Sequence, residues 1–238
     1  MIQYERHNEI LQQLEKNPSM SIRKLAAALY TSEATIRRDL KELEEQGLIR
    51  RVYGGAVLIQ SPGLNAPLST RNLEKSDIKD KIAREAAAMV RNGDTLILDA
   101  SSTTQHMLKY LSTFRDLTVI TNCLPIIEKL ADSKIRLICT GGTYSPTDAV
   151  FTGHQTHEAL CNLHADWLFF SSRGLALSGE ISDSNEEETA VRRIMLKRAK
   201  KKIFLCHSDK IGESYLYHVC THREIDEIIC DKELPAFQ

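Results

Sequence analysis

The stretch "TSEATIRRDLKELEEQG", residues 31–47, sets two adjacent arginines and a lysine among closely spaced leucines. With Ile36 taken as the core direction and about 100° per residue, Leu40 and Leu43 fall beside it. Ala34, Arg38 and Lys41 then point nearly opposite, with Thr35 and Arg37 on the flanks. The cations come early and Glu42, Glu44 and Glu45 late, as in a helix whose N-terminal part meets base edges. The same charges form the i,i+4 pairs Glu33/Arg37, Arg38/Glu42 and Lys41/Glu45. For the helix alone, a self-paired solvated face is therefore the competing reading.

The flanking residues decide between the two. Upstream, "ERHNEILQQLEK" (5–16) spaces Ile10, Leu11 and Leu14 as one helical stripe, and Asn17-Pro18 breaks it. "SIRKLAAALY" starts on the capping residue Ser21, and Ser32 caps the next helix after the short link Tyr30-Thr31. Three short helices with a tight turn between the second and third match a helix-turn-helix. Downstream, Gly47 ends the third helix, and "LIRRVYGGAVLI" reads as strand, Gly-Gly turn, strand. Such a hairpin is the wing of a winged helix, with Arg50 and Arg51 placed to meet phosphates.

This pattern resembles the DeoR family of bacterial transcriptional regulators. Ser32, Thr35, Ile36, Arg37, Arg38, Asp39, Leu40, Leu43 and Gly47 match its helix signature; Arg51, Val52, Gly54, Gly55 and Ala56 match its wing. The resemblance implies that Ser32, Thr35, Arg37, Arg38, Lys41, Arg50 and Arg51 contact double-stranded operator DNA.

Composition narrows the classes. The chain has 238 residues, 42% of them hydrophobic, which suffices for a packed core and excludes a disordered chain. Its net charge of −1 gives no overall basic signature, so a nucleic-acid site must come from local placement of charge. No apolar run reaches the roughly 20 residues of a membrane span, and the N-terminus lacks a secretory signal. Six scattered cysteines without Cys-x-x-Cys argue against a zinc cluster and suit reduced thiols. A cytoplasmic protein without membrane contact is expected.

Residues 1–59 are thus expected to form the DNA-binding head. Residues 60–75, with two prolines and no sustained period, are expected to be a linker, and 76–238 the larger domain. In the latter, the short apolar strands "TLILDA", "LTVIT", "IRLICTGG", "WLFFSS", "KIFLCHS" and "DEIICD" are interspersed with amphipathic helices. This implies a mostly parallel, Rossmann-like α/β sheet covered on both faces.

Ligands of such sheets bind beyond the carboxyl ends of the strands. "DASSTT" (99–104) offers Asp99, then Ser101, Ser102, Thr103 and Thr104 at a helix start, suited either to a phosphate or to ordinary capping. Asn122, Gly141, Gly142, Arg173 and Lys210 stand at other strand ends. No G-x-G-x-x-G or P-loop occurs, so no nucleotide cofactor is expected. The domain also resembles the DeoR-type effector domain, similar in fold to ribose-5-phosphate isomerase and glucosamine-6-phosphate deaminase. That implies a phosphorylated sugar as effector, with phosphate contacts at Ser101–Thr104 and a ligand-side role for Lys210. Two positions depart from the family pattern: Ser172-Arg173-Gly174 replaces an acidic run, and His207 stands where relatives often have Asp.

Other candidates read as structural. Glu186, Glu187 and Glu188 follow Ser184 as a capping box; His154 and His157 lack a third metal ligand; "RRIMLKRAKKK" (192–202) is a solvated helix end. The expected function is a sugar-operon repressor, homo-oligomeric and not an enzyme, whose operator binding responds to a phosphorylated sugar. Two rivals stand beside it: a sugar-phosphate isomerase or deaminase with an appended head, and a ligand-independent architectural DNA binder.

Overall fold

The stripes that the sequence marks as apolar are the ones that bury. In the first helix, α1 (Gln3–Lys16), Ile10, Leu11 and Leu14 are inaccessible to water; so are Leu25 and Ala26 of α2 (Ile22–Ala28) and Ile36, Leu40 and Leu43 of α3 (Glu33–Glu45). The computed structural model describes residues 3–17, 19–45, 48–58 and 68–237, which divide into units Met1–Glu74 and Lys75–Gln238. Pro18, Gly47 and the first half of the expected linker lie outside the described residues. The second half is helical, α4 (Leu68–Leu73), with Leu73 packed on the core of the first unit.

Caps set the ends of the two helix-turn-helix elements. Ser21 accepts a hydrogen bond from the Lys24 amide at 3.2 Å, and Ser32 accepts one from the Thr35 amide at 3.1 Å. Between them Tyr30 takes a left-handed φ of 50°, which makes the turn tight. Strands β1 (Ser19–Ser21), β2 (Ile49–Val52) and β3 (Gly55–Leu58) form an antiparallel sheet in the order β1-β3-β2. The Gly54-Gly55 pair has two separate causes. Gly54 turns the hairpin at φ +77°, and a side chain on Gly55 would collide with the Met20 carbonyl of β1.

One charged residue of the helix signature faces inward. Asp39 is fully buried and binds the Arg6 guanidinium of α1 through both oxygens, at 2.5 and 2.9 Å. The pair pushes the Arg6 pKa above its ordinary value, chiefly through that hydrogen bond. Asp39 therefore anchors α3 to α1.

In the second unit α5 (Ser76–Ala87) precedes β4 (Thr95–Leu98), α6 (Ser102–Leu111), β5 (Thr118–Thr121), α7 (Leu124–Leu130) and β6 (Arg136–Cys139). A hairpin, β7 (Thr143–Ser145) and β8 (Val150–Thr152), leads to α8 (His154–Cys161) and β9 (Ala165–Phe170). Then follow β10 (Gly174–Leu175), β11 (Glu180–Asp183), α9 (Glu186–Arg198), β12 (Ala199–Cys206), β13 (Tyr217–Thr221) and β14 (Glu227–Cys230). Six strands pair in parallel in the order β14-β12-β9-β4-β5-β6, and they are the six apolar runs of the sequence. Leu96, Ile97 and Leu98 are consecutively buried, so the sheet is covered on both faces. The fold is the expected winged helix-turn-helix followed by a Rossmann-like α/β domain.

The sequence reading did not include β7–β8, α8 or the small antiparallel sheet β10-β11-β13. These strands have two to five residues of mixed polarity, too short to show a period. The parallel sheet places its reversal point between β4 and β9: the chain proceeds outward through β5 and β6, then returns to β9, β12 and β14. A crevice at the carboxyl ends of β4 and β9 is where this topology offers a ligand site.

Candidate functional site

On the head, Arg37, Arg38 and Lys41 are exposed on the side of α3 away from Ile36, Leu40 and Leu43. Arg37 bonds Glu33 at 2.9 Å and Lys41 approaches Glu45 at 3.7 Å, so two of the three expected helical pairs form. The third does not. Glu42 instead approaches His7 of α1 at 3.6 Å, and Arg38 makes no ion pair among the described residues. The Ser32 and Thr35 hydroxyls lie 2.8 Å apart at the helix start, beside these cations.

The two wing arginines differ in kind. Arg50 is exposed without an ion pair among the described residues. Arg51 donates its amide (2.8 Å) and its Nε (2.6 Å) to the Glu44 carboxylate, which these bonds hold below the ordinary glutamate pKa. Arg51 thus fastens the wing to the end of α3. The exposed Tyr53 forms the wing tip.

At the strand ends of the second unit, a residue the sequence reading missed organises the rest. Arg192 of α9, read from sequence as part of a solvated basic run, is 3% exposed. Its guanidinium donates to Asp99 at 2.9 Å, Asp183 at 3.0 Å and Glu188 at 2.7 Å. Burial opposes the charge on Arg192, but the three carboxylates outweigh it and raise its pKa. The signal was present in the sequence. Glu188, Val191, Arg192 and Met195 share one helical stripe, and all four are buried.

Asp99 is held from several sides. One oxygen accepts from the Ser101 amide (3.1 Å), the other from the Ser171 amide (3.2 Å) and Arg192. The Thr104 hydroxyl, with one proton to give, stands 3.1 Å from the first oxygen and 2.9 Å from the backbone carbonyls of Asp99 and Ser101. Ser101 caps α6 by accepting from the Thr104 amide at 3.2 Å, so the capping role of this loop is realised. The Thr103 hydroxyl, by contrast, is fully buried with no hydrogen-bond partner. Asn122 donates to the Phe151 carbonyl at 2.9 Å while its own side-chain oxygen has no partner.

The Gly-Gly pair again splits. Gly142 needs its missing side chain because Thr152 and Thr156 pack against it; Gly141, at φ +63°, faces open space. Lys210 donates to the Ser171 hydroxyl at 2.7 Å and has no carboxylate within ion-pair distance among the described residues. Burial lowers its pKa to about 8, against the pull of Asp183 and Asp99. Burial likewise raises Asp183, but Arg192 and then Arg173 outweigh it and bring its pKa below the ordinary value. Asp183 reaches Ser172 (3.0 Å), so an acid borrowed from β11 stands beside the run where the family pattern is broken. His207 is held at about 2 by burial and by Lys210, Lys79 and Lys75, and its Nδ1 has no partner.

Two structural readings need correction. Asn185, not Ser184, caps α9, accepting from the Glu188 amide at 3.1 Å. Its acidic turn is not only capping: Glu187 accepts from Thr152 at 2.6 Å and Glu188 pairs with Arg192. His154 is exposed and approaches Glu158 at 3.9 Å, whereas Nε2 of His157 is buried without a partner.

Replacing Arg192 with Met should cost about 3–5 kcal/mol at pH 7, because three buried carboxylates lose their cation. Denaturant unfolding followed by the fluorescence of Trp167, the one tryptophan, measures it. Asp183 has a depressed pKa, so its stabilisation in the parent persists above the unfolded value and is lost only below it. In the variant the carboxylates take up protons at higher pH, so the deficit should narrow from pH 7 to pH 4. A deficit that is constant over that range contradicts the network.

Comparison with known proteins follows the same division of the chain. Residues 6–62 match the DeoR-like helix-turn-helix domain and residues 74–232 match the DeoR C terminal sensor domain. The HTH-type transcriptional regulator GolR of Listeria innocua is 36% identical over 235 residues, covering 98% of this chain and 92% of GolR. The lactose phosphotransferase system repressor of Staphylococcus epidermidis is 31% identical, over 97% of this chain and 93% of the repressor. Among solved structures, ribose 5-phosphate isomerase A of Methanocaldococcus jannaschii aligns with a TM-score of 0.44 at 15% identity, over 58% of this chain and 55% of that one. A DNA-binding head and a sensor domain, both matched and joined in one chain, identify the protein as a member of the DeoR family of transcriptional regulators.

Proposed function

We propose that the chain is a cytoplasmic repressor of a sugar-metabolism operon, and that a phosphorylated sugar changes its affinity for operator DNA. In this reading the α3 face carrying Thr35, Arg37, Arg38 and Lys41 enters the major groove, and Arg50 meets phosphate. The observation that carries the reading is the exposure of Arg38 and Lys41 opposite a fully buried stripe, in a family of regulators. The likeness to the lactose phosphotransferase system repressor of Staphylococcus epidermidis supports the sign and the sugar context. One head offers few contacts, so two or more heads joined by oligomerisation would add theirs at operator half-sites. Residues 60–75 would then serve as the linker.

The effector phosphate is assigned to the crevice of Ser101–Thr104, Asn122, Gly141, Arg173 and Lys210. Arg192 offsets one of the three negative charges of Asp99, Asp183 and Glu188, and Arg173 and Lys210 bring two further positive charges near them. The same pairing argues against turnover. A general base needs a free lone pair and a suitable pKa, whereas Asp99 and Asp183 are bound to Arg192 and His207 is held at about 2.

Loss of a base-reading arginine should cost on the order of 1–3 kcal/mol and relax sequence preference, read by gel shift with Arg37→Ala/Arg38→Ala. Arg50→Ala should weaken binding on all sequences alike and lower the salt slope by about one. Unchanged operator binding by the folded double variant refutes the α3 assignment.

For the effector, calorimetry with a sugar phosphate found by thermal-shift screening should show affinity falling as pH rises through about 8, where Lys210 loses its proton. Lys210→Arg should flatten that dependence, and NMR should recover the ligand unconverted. A pH-independent affinity in the parent chain, or tight binding by both Ser102→Ala and Lys210→Ala, moves the site elsewhere.

A further inference from the structure

Two of the six cysteines face each other at the root of the Lys210 loop. Strands β12 and β14 are parallel neighbours, and both end on cysteine, with Cys206 and Cys230 as direct Cα partners. Paired strands lie about 4.8 Å apart, with registered side chains on the same side of the sheet. That spacing is within the range a disulfide spans, about 4.4–6.8 Å. Both thiols are free, one buried and one partly exposed; Cys206 donates to the His207 carbonyl at 3.4 Å and Cys230 to the Asp231 carboxylate at 3.7 Å.

The position couples these thiols to the crevice. Three residues separate Cys206 from Lys210, and the loop between them is tied back to β14. Ser208 donates its amide (2.6 Å) and its hydroxyl (3.0 Å) to Asp231, the residue after Cys230. Any movement that draws the two strand ends together acts on both the loop and its tether. We propose that Cys206 and Cys230 are a peroxide-responsive pair whose disulfide repositions the loop carrying Lys210. The consequence for effector binding rests on the proposed role of Lys210; the disulfide itself does not.

The chemistry divides between the two sulfurs. The neighbouring Cys206 thiol lowers the Cys230 pKa to about 7 against burial and Asp231, which favours Cys230 as the thiolate, while Cys230 and burial push Cys206 up. The Cys230 thiolate attacks the terminal oxygen of a hydroperoxide; the O–O bond breaks, the departing alkoxide or hydroxide takes a proton from solvent and leaves as alcohol or water, and Cys230 becomes a sulfenic acid. The Cys206 sulfur then attacks the Cys230 sulfur. The S–O bond breaks, hydroxide takes the Cys206 proton and departs as water, and the S–S bond forms. Each sulfur is oxidised by one electron and the peroxide is reduced by two. A dithiol reverses the step by exchange.

The test uses the full chain, treated with hydrogen peroxide, alkylated and mapped by mass spectrometry without reduction. A cross-linked peptide joining residues 206 and 230 is expected, and Cys206→Ser should instead accumulate a Cys230 sulfenic acid that dimedone traps. Hydrogen exchange over residues 207–213 should differ between the oxidised and reduced chains. Oxidation confined to the exposed Cys139 and Cys161, or a 206–230 cross-link that leaves exchange in that loop unchanged, overturns the inference. The parent-chain map decides the first point even if the variant does not fold.

Discussion

Arg192 sits almost wholly out of water with carboxylates from three elements on its guanidinium, and the geometry of the sensor domain hangs on that contact. Asp99 directly follows the central strand β4, Asp183 ends β11, and Glu188 lies one turn earlier on the same helix. Desolvating four charges is expensive, and the Coulomb attraction offsets the cost only where hydrogen bonds also complete each group. Here they do. Asp99 accepts from the Ser101 and Ser171 amides as well as from Arg192, so the start of α6 and the end of β9 are held on the same carboxylate.

On the proposed reading, this cluster bears on how an acidic strand end could hold an anion. Three carboxylates beside a phosphate would repel it; Arg192 cancels one of their charges, and Arg173 and Lys210 stand near enough to offset the rest. Lys210 is bonded to a neutral hydroxyl rather than to a carboxylate, which in that reading leaves it available to a ligand. The lowered pKa of this lysine reflects the same economy: it is partly dehydrated and not fully compensated, a state that an incoming anion would relieve. The head follows a similar logic in smaller form. Asp39 and Arg6 compensate each other inside, and Glu44 holds Arg51, which leaves Arg38 and Arg50 as cations without an intramolecular partner among the described residues.

Much of this was legible in the sequence, for identifiable reasons. Long apolar runs and caps at Ser21 and Ser32 report on local structure, and the helix and wing signature spans enough positions to specify the family. The Ser101–Thr104 loop was legible for the same reason, as polar residues directly after a strand. What escaped notice depends on partners distant in sequence. Arg192 meets Asp99 across 93 positions, and Arg6 meets Asp39 across 33. A charged residue on a buried stripe looks like solvated charge until its partner is known. Arg51 was read as a phosphate contact because nothing local discloses Glu44. Nothing local reveals that Asp99 is bonded by Arg192 and two backbone amides.

The account turns on coupling: one ligand in the sensor domain must alter DNA affinity, and linkage requires DNA to alter ligand affinity by the same factor. The direct measurement is a pair of titrations on the full chain, operator binding with and without a saturating sugar phosphate, and sugar-phosphate binding with and without operator. The expected result is a weakening of both by one common factor, about 5-fold or more. Operator affinity that is identical at every ligand concentration, in a chain that binds both, contradicts the account.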